Sequence, residues 1–205
     1  MALRGRLDRD EEEWGDLERE VFERGTCLFP PATSEDIELA DSRLGVALPG
    51  SYKSFLRASN GFAFLGLDVE DALVRPVGSV CWLRDGEPSL VESWGAAEDT
   101  EVSDDVYFRY GQNQDCVHIR SRYFRSLLQL SDYVESAALL LNPEVTFPDG
   151  EWEGWIFGTA LPGAHRYRSF SELMLSGRDL ALNNLRTTLA FAEMMKSRPP
   201  RPQCT

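Results

Sequence analysis

Basic residues are scarce in this chain: 21 lysines and arginines stand against 34 aspartates and glutamates, which gives a net charge of -13. A surface of that sign repels phosphate backbones and anionic lipid headgroups. The sequence therefore argues against direct binding to nucleic acid or to a membrane. The same field attracts a basic protein and speeds its encounter, because complementary charge raises association rates more than final affinity.

The chain also lacks the usual sequence marks of a metal, cofactor or catalytic site. It contains only two histidines, and its four cysteines form no C-x-x-C pair of the kind that builds a zinc site. No P-loop, G-x-S-x-G, G-x-G-x-x-G or H-E-x-x-H pattern occurs. We therefore predict no enzyme, no catalytic residues, no cofactor, no metal and reduced thiols at Cys27, Cys81, Cys116 and Cys204.

Long apolar runs are missing as well. No stretch reaches the roughly 18 residues that a membrane-spanning helix needs, and the first residues lack the apolar segment of a signal peptide. We expect a cytoplasmic protein. The composition, with 42% hydrophobic and 11% aromatic residues, is ample for a packed core and predicts one domain with appendages.

Helix signals come first along the chain. Residues 1–30 predict an acidic amphipathic helix. A T-x-x-D capping pattern at Thr33 then opens a helix with an apolar stripe, and Gly45 closes it. The next helix starts near Pro49 and stops at Asn60-Gly61, where positive φ angles are tolerated.

Short apolar runs make the middle of the chain rich in predicted strands, at residues 62–65, 80–83, 107–110, 117–119, 127–130, 138–141 and 152–157. An S-x-x-E capping box at Ser169 opens another helix, and a further helix is predicted after Gly177. Helices, then consecutive strands, then helices is the order of an α+β fold. We expect a central, mainly antiparallel sheet flanked by N-terminal and C-terminal helices.

Two motifs stand out within this order. The first reads Leu48-Pro49-Gly50-Ser51-Tyr52-Lys53-Ser54-Phe55-Leu56 and ends at Asn60-Gly61. The second reads Gly150-Glu151-Trp152-Glu153-Gly154-Trp155 and is followed by Gly163 and Ser169-Phe170. Together they resemble the SUKH superfamily of Smi/Knr-like domains over roughly residues 33 to 175. The chemistry of these residues is that of helix starts, caps and packing, and none of them needs to be catalytic.

The resemblance implies a small α+β domain that acts by binding. SUKH members include fungal cell-wall regulators and bacterial immunity proteins against polymorphic toxins, many of which are nucleases. We therefore expect an immunity protein that neutralises a cognate basic toxin, with a regulatory or scaffolding module as the alternative, and we favour a monomer. The expected division is an appended helix over 1–30, the SUKH-like domain over 31–175 and a helical extension with a frayed tail over 176–205.

The candidate partner surface is the stretch from Asp85 to Asp105, which holds eight carboxylates and no lysine or arginine. A solvated loop explains such a run most simply. An aromatic anchor within an acidic rim would instead mark an interface, in which carboxylates take the places of substrate phosphates. The contact residues of that hypothesis are Trp82, Asp85, Glu87, Glu92, Trp94, Glu98, Asp99, Glu101, Asp104 and Asp105; ordinary core packing is the alternative for the two tryptophans.

Two further groups are considered for catalysis. Glu151 and Glu153 lie two residues apart on one face of a predicted strand, but no nucleophile or metal set accompanies them. Hydrogen bonds to neighbouring loops, or solvent exposure, are the favoured interpretation. His118 in a predicted strand and His165 in a predicted loop have no evident partner. Residues 111–115 predict a hairpin turn.

Overall fold

The computed structural model describes residues 23–64, 72–95, 102–133, 137–158 and 163–176. Its helices are α1 (Ser34–Leu44), α2 (Gly50–Ala58), α3 (Leu83–Gly86), α4 (Pro88–Gly95), α5 (Asp104–Tyr107) and α6, which is helical over 170–176. Its strands are β1 (Phe62–Phe64), β2 (Ala72–Val74), β3 (Cys81–Trp82), β4 (Leu128–Gln129), β5 (Ala137–Thr146), β6 (Trp152–Gly158) and β7 (Gly163–Tyr167). Short 3-10 helices cover Val77–Ser79, Gly111–Asn113 and Ser121–Arg125.

A five-stranded antiparallel sheet in the order β3-β4-β5-β6-β7 forms the centre of the described fold. β1 and β2 pair with each other in a separate two-stranded sheet. In the central register Leu140 of β5 lies opposite Trp155 of β6, which in turn lies opposite Arg166 of β7. The predicted α+β fold with an antiparallel sheet is therefore confirmed.

Each face of the five-stranded sheet carries its own hydrophobic core, because successive strand residues point to opposite sides. The first core includes Ile37, Ala40, Leu44, Leu48, Tyr52, Leu56, Leu128, Leu141, Trp152 and Phe170. The second core includes Leu83, Tyr107, Tyr123, Phe124, Leu127, Ala138, Leu140, Trp155, Phe157 and Ala164. Helices α1, α2 and α6 cover the first face, whereas the mid-chain segments between residues 83 and 125 cover the second.

Local signals at the early helices are confirmed. Thr33 and Asp36 form a reciprocal capping box, with N–H to side-chain oxygen distances of 2.8 and 3.1 Å. The Thr33 hydroxyl, which donates to Asp36 Oδ2 at 2.7 Å, and next the Thr33 backbone N–H hold the pKa of Asp36 below its usual value. Gly45 ends α1 at φ 71°, and Gly61 has φ 101°, where a Cβ would also collide with the Val74 carbonyl.

Strand prediction was partly wrong. The predicted runs at 62–65, 80–83, 127–130, 138–141 and 152–157 overlap β1, β3, β4, β5 and β6, although β5 and β6 are longer than predicted. The strands predicted at 107–110 and 117–119 are absent: Tyr107 ends α5, and residues 117–119 form a turn and irregular chain. Short apolar runs cannot distinguish a strand from a helical turn that buries the same side chain. β2 and β7 were missed because their sequences are short or poor in alternating apolar residues.

The segment predicted as a hairpin turn instead covers the β7 edge of the sheet. After the 3-10 helix at Gly111–Asn113, the Gln114 side chain exchanges two hydrogen bonds with the backbone of Arg166, at 2.7 and 3.1 Å. The Ala164 N–H donates to the Cys116 carbonyl at 2.9 Å. An edge strand satisfied in this way does not offer its backbone to another chain.

Several expectations lie outside the described residues. They concern the acidic helix before residue 23, the helix after residue 176 and Cys204. Cys27 and Cys81 are free thiols in the part of the chain that the structure describes. No helix in the described ranges has the length and apolar content needed to cross a membrane.

Candidate functional site

A fully buried carboxylate, Glu153 of β6, lies on the second face of the sheet. It accepts hydrogen bonds from the phenols of Tyr107 and Tyr110, at 2.7 and 2.8 Å. It also accepts from Trp155 Nε1 at 2.7 Å and from Asn142 Nδ2 at 3.1 Å. A buried charge is tolerated when its lone pairs are filled in this way.

Arg166 of β7 supplies the opposite charge. Its Nη1 lies 3.6 Å from Glu153 Oε1 and donates to the Tyr107 carbonyl, and its guanidinium lies 4.0 Å from the centre of the Tyr107 ring. Arg166 is fully buried, and its Nε and Nη2 find no acceptor among the described residues. We call these residues the Glu153 cluster: Tyr107, Tyr110, Asn142, Glu153, Trp155 and Arg166.

The two phenols of this cluster are held in their protonated form. Burial, and next the negative charge of Glu153, raises the pKa of both Tyr107 and Tyr110 well above the usual tyrosine value. A protonated phenol can donate, so both side chains remain hydrogen-bond donors to the carboxylate. The cluster is thus a fixed network that attaches residues 107–110 to strands β5, β6 and β7.

The carboxylates of both candidate acid/base residues are committed to structural hydrogen bonds. The oxygens of Glu153 are already occupied, and Glu151 is engaged elsewhere in the fold. Within the described ranges, no group of three or more His, Cys, Asp or Glu side chains could hold a metal ion. His118 lies in irregular chain and His165 lies in β7, not in the predicted strand and loop.

Glu151 links the two sequence motifs, although they are a hundred residues apart. Its Oε1 accepts the Ser51 backbone N–H at 2.7 Å, and its Oε2 accepts the Ser51 hydroxyl. Helix α2 begins after Pro49 without a side-chain cap of its own. The carboxylate of Glu151 supplies that cap from the start of β6 and stabilises the positive end of the helix dipole.

The other motif residues lie in the first core or at its edges. Phe55 is half-buried, with its ring centre 5.1 Å from that of Phe170. Asn60 Oδ1 accepts the Val77 N–H at 2.7 Å, and Ser169 Oγ accepts the Glu172 N–H at 3.1 Å. Gly163 begins β7, and the fully or almost fully buried motif residues are Leu48, Tyr52, Leu56, Trp152 and Phe170.

The predicted acidic stretch is mostly helical where the structure describes it. Asp85 belongs to α3 and Glu92 to α4, and both are exposed; Glu87, between the two helices, is half-buried. The inner sides of these helices pack on the second core through Leu83, Leu90, Val91 and Trp94. A solvated loop therefore does not describe these segments. Glu98, Asp99 and Glu101 lie outside the described residues.

Two carboxylates at the end of this stretch have arginine partners that lie later in the sequence. Asp104 Oδ1 lies 2.5 Å from Arg120 Nη2, and Asp105 Oδ2 lies 3.7 Å from Arg109 Nη2. The Ser103 hydroxyl, and to a lesser degree Arg109, lowers the pKa of Asp105. The local charge at α5 is consequently more balanced than the sequence from Asp85 to Asp105 indicates.

The two tryptophans of the hypothesis are packed against the domain. The Trp94 ring is half-buried, 5.9 Å from that of Phe124 and 5.0 Å from that of Phe157. Trp82 is also half-buried and packs against the first core, with the Arg84 guanidinium 5.1 Å from its ring centre. Core packing, the alternative interpretation, describes the position of Trp94.

Sequence reasoning missed the exposed aromatic residue next to this stretch. Phe108 is 42% exposed and directly follows α5. The sequence shows only that adjacent residues at a helix end cannot both face the core. It is the burial of Tyr107 in the fold that leaves Phe108 on the outer side. The residues that follow Phe108 in the chain line an open groove of about 510 Å³, formed by Arg109, Tyr110 and Asn113.

Comparison with known families assigns this architecture. A family model described as SMI1 / KNR4 family (SUKH-1) matches residues 31–174, which include both motifs and all seven described strands. No curated protein and no solved structure matches the chain. Because the family match covers well over half of the 205 residues, the chain belongs to the SMI1 / KNR4 family (SUKH-1).

Proposed function

We propose that this protein is a cytoplasmic, non-enzymatic immunity protein that binds and neutralises a cognate toxin as a monomer. Membership of the SUKH-1 family carries the proposal, since bacterial members of the SUKH superfamily act largely as immunity proteins that bind a partner toxin. The arrangement of Glu151 and Glu153 supports the non-enzymatic part of the proposal, because both carboxylates are engaged in structural hydrogen bonds.

The charge of the chain supports a basic partner. The net charge of -13 creates a long-range field that raises the encounter rate with a positively charged protein. Asp85 and Glu92 are exposed on the helices that cover the second face. If the toxin is a nuclease, such carboxylates would pair with the arginines and lysines that otherwise hold substrate phosphates.

A regulatory or scaffolding module is the second candidate. The same family match favours it, because the family is named for Smi/Knr-type proteins and its fungal members act as regulators. In that case binding would serve signalling, and no toxin would be neutralised. A toxin gene adjacent to the gene of this chain would favour immunity.

The deciding experiment expresses the C-terminal domain encoded by the adjacent gene in a bacterial host, with and without this protein. We expect that domain alone to kill the cells and co-expression to restore growth, with a one-to-one complex measured by light scattering. An unrelated acidic protein of similar net charge serves as the control for non-specific neutralisation. Killing that continues in the presence of the wild-type protein contradicts the immunity proposal.

A variant with three neutralised carboxylates tests whether their charge speeds association with the toxin. The triple variant Asp85→Asn, Glu87→Gln, Glu92→Gln should slow association with the toxin domain and flatten its dependence on salt. The dissociation rate should change little, because exposed rim charges act mainly during encounter. An association rate equal to that of wild type would remove these carboxylates from the partner surface.

A further inference from the structure

We propose that residues 104–113 form the docking platform for the partner protein, with the Phe108 ring as its anchor. This inference rests on the proposed function and names the contact surface that the function requires. It differs from the sequence hypothesis, which placed the aromatic anchors at Trp82 and Trp94. It is carried by three observations: how the platform is held, which side chain it exposes and what lies beside that side chain.

The underside of the platform is fixed to the sheet. The phenols of Tyr107 and Tyr110 donate to Glu153, and Arg166 donates to the Tyr107 carbonyl. The 3-10 helix that ends the platform is followed by Gln114, which is hydrogen-bonded to the backbone of β7. A segment with little regular structure is thereby held at several points along its length.

One side of the platform is fixed by Arg120, which is itself almost fully buried. Its Nη2 donates to Asp104 Oδ1 at 2.5 Å and to the Val102 carbonyl at 2.8 Å. Its guanidinium lies 4.5 Å from the centre of the Tyr107 ring and 5.6 Å from that of Phe108. Arg120 therefore holds the first residues of the platform in place through contacts with Asp104, Val102 and Tyr107.

Phe108 is presented outward by this support. Its ring packs edge-on against that of Tyr107, with 5.1 Å between the ring centres, and yet the residue remains 42% exposed. Among the large hydrophobic residues that are exposed in the described ranges, Phe108 is aromatic. The others are aliphatic: Leu28, Leu39, Val117 and Leu175. An aromatic side chain that is held in place before binding loses little rotamer entropy in a complex, as binding hot spots require.

The buried ion pair of Glu153 and Arg166 holds Tyr107 and Tyr110, which lie on either side of Phe108 in the chain. Glu153 and Arg166 are both fully buried, and such pairs commonly stabilise a fold less than apolar residues of the same volume would. Their hydrogen bonds are, however, directional, and they fix the position of residues 107 and 110. We assign Glu153 and Arg166 as positioning residues of the platform.

The platform fits a partner protein with an apolar pocket and basic residues around it. The pocket would receive the Phe108 ring. The carboxylates of Asp104 and Asp105 remain largely exposed although each lies close to an arginine of this chain, and they would face the basic rim. The adjacent groove of about 510 Å³ offers N–H donors from Arg109 and Asn113. A carbonyl or carboxylate of the partner would complete the contact there.

The main test measures binding of the purified toxin domain encoded by the adjacent gene. Phe108→Ala should weaken the complex at least about tenfold, mostly through faster dissociation, because a central anchor contributes after encounter. Leu39→Ala is the matched control: Leu39 is 61% exposed on α1, on the opposite side of the sheet. We expect its affinity to stay within about twofold of wild type.

Two more variants test the groove and the support. Asn113→Arg places a large side chain on an exposed residue of the groove and should also weaken binding without unfolding the domain. Tyr110→Phe keeps the ring but removes the hydrogen bond to Glu153. It should speed hydrogen exchange within residues 104–113 and leave exchange in α1 and α2 unchanged, which loss of global stability would not do.

The outcomes separate the two proposals. If wild type forms no complex with the toxin domain, the proposed function fails and the platform fails with it. If wild type binds tightly, and Phe108→Ala and Asn113→Arg bind as wild type does, the platform alone is wrong and the contact lies elsewhere. Selective loss of affinity in these two variants, with Leu39→Ala unchanged, supports both.

Discussion

The two faces of the sheet are built differently. The first face carries a mainly aliphatic core under helix α1, which has a local capping box, and helix α2, which Glu151 caps from the start of β6. The second face carries an aromatic core with a buried ion pair, under short helices that come from the middle of the chain. The first core mainly stabilises the fold, whereas the network of the second core holds the exposed residues of the platform in position.

Two buried tyrosines, one in each core, show the same difference between the two faces. Tyr52, in the first core, is fully buried, and its hydroxyl has no hydrogen-bond partner among the described residues. Tyr107, in the second core, is equally buried but donates to Glu153 at 2.7 Å. In the first core the ring supplies the stabilisation, and in the second the hydroxyl contributes as well.

The largest expected effect is the loss of one partner of the buried ion pair. Arg166→Met should lower the free energy of unfolding by about 3–5 kcal/mol, because Glu153 is left as an unpaired buried charge. Urea denaturation measures it. The double variant Glu153→Gln, Arg166→Met removes both charges and should recover a substantial part of the loss. A double variant as unstable as the single would show that the charge pair is not the cause.

Truncation in the first core tests whether the two faces have separate roles. Leu56→Ala should cost about 2–5 kcal/mol, because Leu56 is fully buried in the aliphatic core. Partner affinity should nevertheless stay near that of wild type under conditions where the variant remains folded. Denaturation and binding measured on the same sample check this. A large loss of affinity would contradict the division between a stabilising face and a presenting face.

The two tyrosines allow the same substitution to be compared on both faces. Tyr107→Phe should destabilise by about 1.5–3 kcal/mol, since it removes a hydrogen bond to a buried carboxylate. Tyr52→Phe should change stability by less than about 1 kcal/mol, and in the stabilising direction, because it removes a buried hydroxyl without a described partner. Equal losses in the two variants would remove the distinction between the cores.

Alkaline pH provides a further comparison of the same residues. Burial raises the pKa of Tyr52 and, together with Glu153, that of Tyr107 above the usual value of about 10. Above that pH the unfolded chain releases protons that the folded chain retains, so stability falls as pH rises. The slope should reach about 1.4 kcal/mol per pH unit for each tyrosine. Denaturation between pH 8 and pH 11 should give a shallower slope for each Phe variant than for wild type.

Much of the fold followed from local signals in the sequence. The Thr33 and Asp36 capping box, the end of α1 at Gly45 and the central strands all depend on residues close together in the chain. The two motifs also identified the family, which the match over residues 31–174 confirms. The strand predicted at 107–110 was wrong because an apolar pair reads alike in a strand and in a helical turn.

The candidate site depended instead on contacts between distant residues. Asp104 meets Arg120, Glu151 caps α2 through Ser51 and Arg166 meets Glu153 only because strand register and helix packing bring them together. The exposure of Phe108 and the burial of Trp94 have the same origin. The sequence by itself determined the family, the acidic charge and the helix ends, since caps and turns form within a few residues. Which charges are paired and which aromatic ring faces the solvent was decided by the tertiary structure, because those outcomes depend on neighbours far away in the chain.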